Sequence, residues 1–195
     1  MKRQTRNTLK LILLAGGLYW GLTEISEIGE RHHYWNIARR YCDSVGKPLL
    51  RIGIRRNPLE PPNGDVTLDI DERVLAIDGG VLGDIRDMPF NNKEMGVCFS
   101  EHVIEHLYNS EDVEMAIKEC VRVADYAVIL APGPYTVGGY FHPDHKMRFW
   151  FYGNEQILAQ NIPYIQGWQN LSWPGINGIG QAMVLKDEIP EIRLI

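Results

Sequence analysis

From Leu49 onward the chain is built of short apolar runs, each closed by a turn or an acid, and this pattern limits it to very few architectures. Leu49 to Gly53, Val66 to Ile70, Val81 to Asp84, Gly96 to Ser100 and Tyr126 to Ala131 have the length and apolarity of strands covered on both faces. Between the last two, Val113, Ile117, Cys120, Val121 and Ala124 recur at helical spacing. Ser110 stands where it can cap that helix, with Glu111 and Asp112 in the first turn. Such alternation predicts an α/β domain on a Rossmann-like, mostly parallel sheet. Further on, a helix is expected through Gln156-Ile157-Leu158-Ala159, then strands over Pro163 to Gln169 and Gln181 to Leu185. Pairing of these two would give an antiparallel final strand.

A chain of 195 residues with no repeat and no low-complexity tract fits one core. The formal charge of −5 supplies no general field for phosphate backbones, so nucleic acid is not an expected partner. Cys42, Cys98 and Cys120 form neither an even framework nor a CxxC, as in chains kept under reducing conditions, and a cytoplasmic location is expected.

The N-terminus is different. Lys2, Arg3, Arg6 and Lys10 precede an uncharged run, LILLAGGLYWGL, that ends before Thr23 and Glu24. The run is shorter than the roughly 20 apolar residues of a spanning helix. Residues 9–25 are therefore read as a membrane-associated or interfacial helix, a helix packed on the domain, or a signal peptide without a good cleavage site. The chain divides on this reading into a basic and apolar segment, 1–30, and a domain, 31–195.

In open α/β sheets ligands bind beyond the carboxyl ends of the strands, so polar residues just after apolar runs are the ones to question. Asp69 ends the second run, where a carboxylate could accept both hydroxyls of a ribose. Gly83-Asp84-Ile85 ends the third, and Phe99-Ser100-Glu101-His102-Val103-Ile104-Glu105-His106-Leu107 the fourth. Each acid alone could equally be a solvated loop residue or a helix cap.

In this order, residues 48 to 160 resemble the class I S-adenosylmethionine-dependent methyltransferases, within them the small type 11-like group. Leu50 to Leu59 stand where that family has its glycine-rich first loop. The resemblance implies a class I methyltransferase fold and S-adenosylmethionine as cofactor. It implies cofactor contacts from Gly53, Asp69, Ile70, Asp84, Ile85 and Ser100, and transfer of a methyl group to a small-molecule or glycan-like acceptor. The family's Gly-x-Gly is here reduced to Gly53. Arg55 occupies the second glycine position, where its side chain either fills the pocket or pairs with a carboxylate. Pro58, Pro61 and Pro62 leave room for no more than a turn before Val66.

A sulfonium methyl is already electrophilic, so little acid–base machinery is needed beyond a base for an oxygen acceptor. His106, His142 and His145 are the candidates, with His102 nearby. Two other readings use the same residues. His102-x-x-Glu105-His106 has the form of the inverted zinc-peptidase motif and would make the chain a zinc-dependent hydrolase. A domain that lost its cofactor at Arg55 would be a non-catalytic, membrane-tethered binding module. Under the leading reading no residue is assigned to a metal.

Overall fold

A computed structural model describes residues 2–132, 143–146, 151–152, 155–156 and 180–186 of the chain. Helix α1 runs unbroken from Lys2 to Val45, across the expected division at residue 30, so the apolar segment and the first helix of the domain are one element. It stops at Gly46, whose φ of +68° is the left-handed conformation that closes helices. The Gly46 and Lys47 amides both donate to the Cys42 carbonyl, at 2.9 and 3.2 Å.

Strands β1 (Leu49–Ile52), β2 (Val66–Asp69), β3 (Gly80–Leu82), β4 (Met95–Glu101), β5 (Ala124–Pro132) and, at the edge, β8 (Gly180–Leu185) form one sheet in the order β3-β2-β1-β4-β5-β8. The first five are parallel, and β8 is antiparallel to β5. The expected strands are present with shifted ends. β3 begins one residue early and stops at Leu82, leaving Asp84 in a tight turn bridged to Asp87, while β4 and β5 are longer than their apolar runs. Two-residue strands β6 (Phe151–Tyr152) and β7 (Glu155–Gln156) pair with each other, so Gln156 is in a strand and not in the expected helix. The rest of that helix and the Pro163 to Gln169 strand lie outside the described residues; β8 takes its partner from β5.

Helix α2 (Ser110–Val123) is the expected crossover, but its cap is Asn109 and not Ser110. The Asn109 side chain accepts the Asp112 amide at 2.8 Å, one residue ahead of the sequence reading. Side chains alternate across the central strands and so feed two cores. On one face Leu50, Ile52, Cys98, Ala127 and Ile129 pack against Val113, Ile117 and Cys120 of α2. On the other, Leu49, Val97, Phe99 and Val128 pack against Tyr34, Trp35, Ala38 and Cys42 of α1. The second half of α1 is thus a helix of the α/β/α sandwich, while its first half exposes Leu9, Leu11, Ile12, Leu13, Leu14 and Leu18.

Candidate functional site

The strand order reverses at β1, whose neighbours β2 and β4 carry the chain to opposite sides, and the crevice beyond such a point is where these sheets take ligands. A cavity of about 550 Å³ opens there. Its floor is Ile52, Gly53 and Ile54 after β1 and Glu101, His102 and Val103 after β4. Its wall is α1, through Trp20, Glu24, Glu27 and Arg31. Gly53 turns the chain with φ of +89°, a conformation other residues resist, and its amide donates to the Leu68 carbonyl at 2.8 Å.

Odd-numbered residues of β1 and β4 point toward α1, and so the charged Arg51 and Glu101 emerge on the side of the cavity. Arg51 is 2% exposed and holds Glu101 at 3.4 Å and Glu60 at 3.1 Å. It also donates to the Pro61 carbonyl and, at 2.9 Å, to that of Pro62. Arg31 of α1 reaches Glu101 and Glu27, each at 3.4 Å. Burial lowers the Arg51 pKa against the pull of Glu101 and Glu60, and raises that of Glu101 against Arg51 and Arg31. This network knits the helix to the strand ends.

After β4 the chain reverses at His102, which has φ of +52°. Arg31 donates to His102 Nε2 at 3.1 Å. The following 3₁₀ turn, Ile104–His106, buries Glu105 to 1% exposure, and burial pushes its carboxyl up to about 8. The 143–146 segment lies against this turn, with the Lys146 amide donating to the Glu105 carbonyl at 2.8 Å. The His106 and His145 rings meet edge to face, centroids 4.9 Å apart, and both line the cavity.

The residues expected from sequence separate into groups. Gly53, His106 and His145 are brought to the cavity, and His142 lies outside the described residues. Asp69 sits beside it at the end of β2, where Oδ2 accepts the Ile54 amide at 2.8 Å and Oδ1 the Asp71 amide at 2.9 Å. Asp84 is gripped by Arg86, which also holds Asp112 at 2.8 Å, and Arg86 keeps the Asp84 pKa low. Ile85 is a core residue, and the Ile70 side chain is largely exposed. Ser100 points to the α2 face, fully buried, its Oγ without a hydrogen-bond partner among the described residues.

Among the described residues, Arg55 neither fills the cavity nor pairs with a carboxylate. Its guanidinium folds back on its own loop, donating to the Asn57 carbonyl at 3.1 Å and the Pro58 carbonyl at 2.7 Å. Pro58 has no amide to offer a helix, and the loop satisfies the arginine instead. The inverted peptidase motif does not lie on a helix: His102 is in a bend, and Glu105 and His106 are in a single 3₁₀ turn. Arg51, Glu60 and Arg31 were given no role from sequence, and Glu101 stood only as one of the residues after the fourth run. The available signal was a lone arginine inside a four-residue buried strand, a charge that must find a partner.

Among the described residues, five parallel strands in this order with an antiparallel sixth, and a crevice at the switch point, make a Rossmann-like, mostly parallel α/β fold. Residues 65–129, from the start of β2 into β5, match the family model for the type 11 methyltransferase domain. A SAM-dependent methyltransferase from Archaeoglobus fulgidus matches at 20% identity and a TM-score of 0.40, over 57% of this chain and 61% of its own. One from Thermotoga maritima matches at 15% identity and 0.40, over 68% and 74%. One from Clostridium acetobutylicum matches at 10% identity and 0.40, over 84% and 71%. The chain thus spans about three fifths of the Archaeoglobus protein. No curated protein matches it.

Proposed function

We propose that the chain transfers a methyl group from S-adenosylmethionine to a small-molecule or glycan-like acceptor. The observation that carries this reading is the methyltransferase-domain match over residues 65–129, which includes β4, whose carboxyl end lines the cavity through Glu101, His102 and Val103. The residues present fit the cofactor. Each Asp69 oxygen accepts one backbone amide, and a carboxylate oxygen has a second lone pair to offer a ribose hydroxyl. Gly53 has no side chain to block approach to the loop, and a Cβ there would meet only Val103 Cγ2, at 3.6 Å. When bound, the cofactor supplies an electrophilic methyl group. The chain's task is then to orient an acceptor in the cavity, keep water from it and accept its proton. His106 and His145 stand in the lining for the last of these.

The apolar half of α1 supports a second element of this reading, attachment to a lipid bilayer. Its exposed residues Leu11, Ile12, Leu13, Leu14 and Leu18 surround the helix instead of forming one stripe, the pattern of a helix immersed in an apolar medium. The helix is long and apolar enough to cross a membrane. Lys2, Arg3, Arg6 and Lys10 at its start fit anionic headgroups, and Tyr19 and Trp20 stand toward the domain as interfacial anchors. Trp20 and Glu24 also line the cavity, so the acceptor would be received beside the membrane surface.

Calorimetric titration of the full chain in mild detergent with S-adenosylmethionine and S-adenosylhomocysteine tests the first claim. Micromolar binding, about −8 kcal/mol, is expected. A folded sample silent to millimolar ligand would overturn it in favour of the non-catalytic module. Flotation with phosphatidylserine-containing vesicles tests the second. Wild type should float and Leu11→Asp/Leu14→Asp should not; equal recovery of both in the soluble fraction would sink it.

A further inference from the structure

Glu105 is a buried carboxylate for which the methyl-transfer reading has no task. It is 1% exposed, and among the described residues neither of its oxygens has a hydrogen-bond partner. What faces it instead is imidazole: His102 Nδ1 at 3.6 Å and His145 Nε2 at 3.9 Å from Oε1. A charge removed from water and left without hydrogen bonds is costly unless something positive completes the site. With His106, the Glu105 and His145 donor atoms lie within 4.8 Å of one another.

We propose that Glu105, His106 and His145 hold a divalent transition-metal cation in the wall of the cavity. One carboxylate with two imidazoles is a donor set for Zn²⁺, Mn²⁺ or Fe²⁺ and not for Mg²⁺ or Ca²⁺. The local structure also prepares the ligands. His106 Nδ1 lies 3.2 Å from the Asp144 carbonyl and must donate to it, so Nε2 carries the lone pair, the tautomer that a metal ligand needs. The Lys146 amide, bonded to the Glu105 carbonyl, fixes the segment bearing His145 against the turn bearing the other two. Ligand bonds of about 2.0–2.2 Å require donor separations of about 3.3 Å, so the widest gap would close by about 1.5 Å on binding. His102 stays outside the set because its Nε2 takes a hydrogen bond from Arg31.

Three protein ligands leave coordination positions open, and His106 and His145 line the cavity, so those positions face the acceptor. A hydroxyl entering there would coordinate through oxygen and become more acidic. Its O–H bond would break with the electron pair left on oxygen and the proton passed to water, not to His106 or His145, whose lone pairs the cation would hold in place of the base role given them above. This part of the inference rests on the methyl-transfer reading and narrows its acceptor to an alcohol or phenol; the cation site does not depend on it.

The test uses the chelator-treated full chain titrated with Zn²⁺ by calorimetry and with Co²⁺ by visible absorption. One equivalent should bind with micromolar or tighter affinity, with Co²⁺ bands of nitrogen and oxygen ligation and no thiolate charge transfer. Glu105→Gln keeps the shape of the side chain and introduces no charge, so it should fold. It and His145→Ala should each weaken binding at least tenfold, whereas His33→Ala on α1 should not. No binding by folded wild type, or binding unchanged in both variants, would overturn the site. Cation binding in a protein that ignores S-adenosylmethionine would uphold the site and remove the methyl acceptor from it.

Discussion

Arg51 Nη2 and Glu101 Oε2 face each other at 3.4 Å across two neighbouring parallel strands, their side chains 3% and 2% exposed. An ion pair at this depth offers little net stability over an apolar pair, but losing one partner strands the other. Its other effect is placement, because Glu101 is also where Arg31 of α1 is tied down.

Glu101→Ala is therefore expected to cost about 3–5 kcal/mol, by leaving Arg51 buried with Glu60 as its remaining counter-charge. The double variant Arg51→Met/Glu101→Leu should recover most of that. Urea denaturation of both separates charge stranding from lost packing, since a double variant as unstable as the single would point to packing alone.

Asp69→Asn should fold, because the amide oxygen can still accept from the Ile54 backbone, and it should lose about 1 kcal/mol with the Asp71 contact. Affinity for S-adenosylhomocysteine should fall about tenfold or more with the carboxylate gone. Affinity equal to wild type in a calorimeter would take the ribose role away from Asp69.

Glu30 introduces a pH dependence. Burial, then the neighbouring Glu27, pushes its carboxyl up from 4.5 to about 8, with Arg31 opposing. The folded state thus holds the proton more tightly than the unfolded chain. Stability is fully present below about 4.5 and is lost as pH rises toward 8, at up to about 1.4 kcal/mol per unit for this group. Between pH 5.5 and 7.5 the urea midpoint of wild type should fall relative to that of Glu30→Gln, and parallel profiles would exclude Glu30 as the cause.

Gly96→Ala probes the docking of α1 on the sheet. A Cβ there would stand 2.8 Å from Cys42 Sγ and 3.3 Å from Lys47 Cβ, closer than carbon and sulfur can pack. A loss of about 1–3 kcal/mol is expected. Adding Cys42→Ala removes the sulfur and should restore part of it, a coupling that thermal melts of the four-member cycle would read.

The sheet was legible because buried parallel strands write themselves as short apolar runs, and Leu49, Val97 and Tyr126 fall where those runs place them. The ends were less legible. Asn109 and Ser110 are both good caps, and only the backbone geometry chooses between them. The place of Asp69 at a strand end could be read, and that of Gly53 followed from the family resemblance, but the cavity wall could not be read, because Arg31 and Glu27 come from a distant helix with an apolar start. Nor does local sequence show that His145 meets His106, a contact made across a long stretch of chain.

Trp35 of α1 stacks edge to face on Phe99 of β4, with ring centroids 5.2 Å apart. The two are separated by about sixty residues, so closing that contact is entropically expensive and late. During synthesis α1 emerges well before the strand that covers its tryptophan, and for that interval both its halves are unsatisfied. If the apolar half meets a bilayer, as proposed, a helix made early and docked late can do so before its domain half is covered by the sheet.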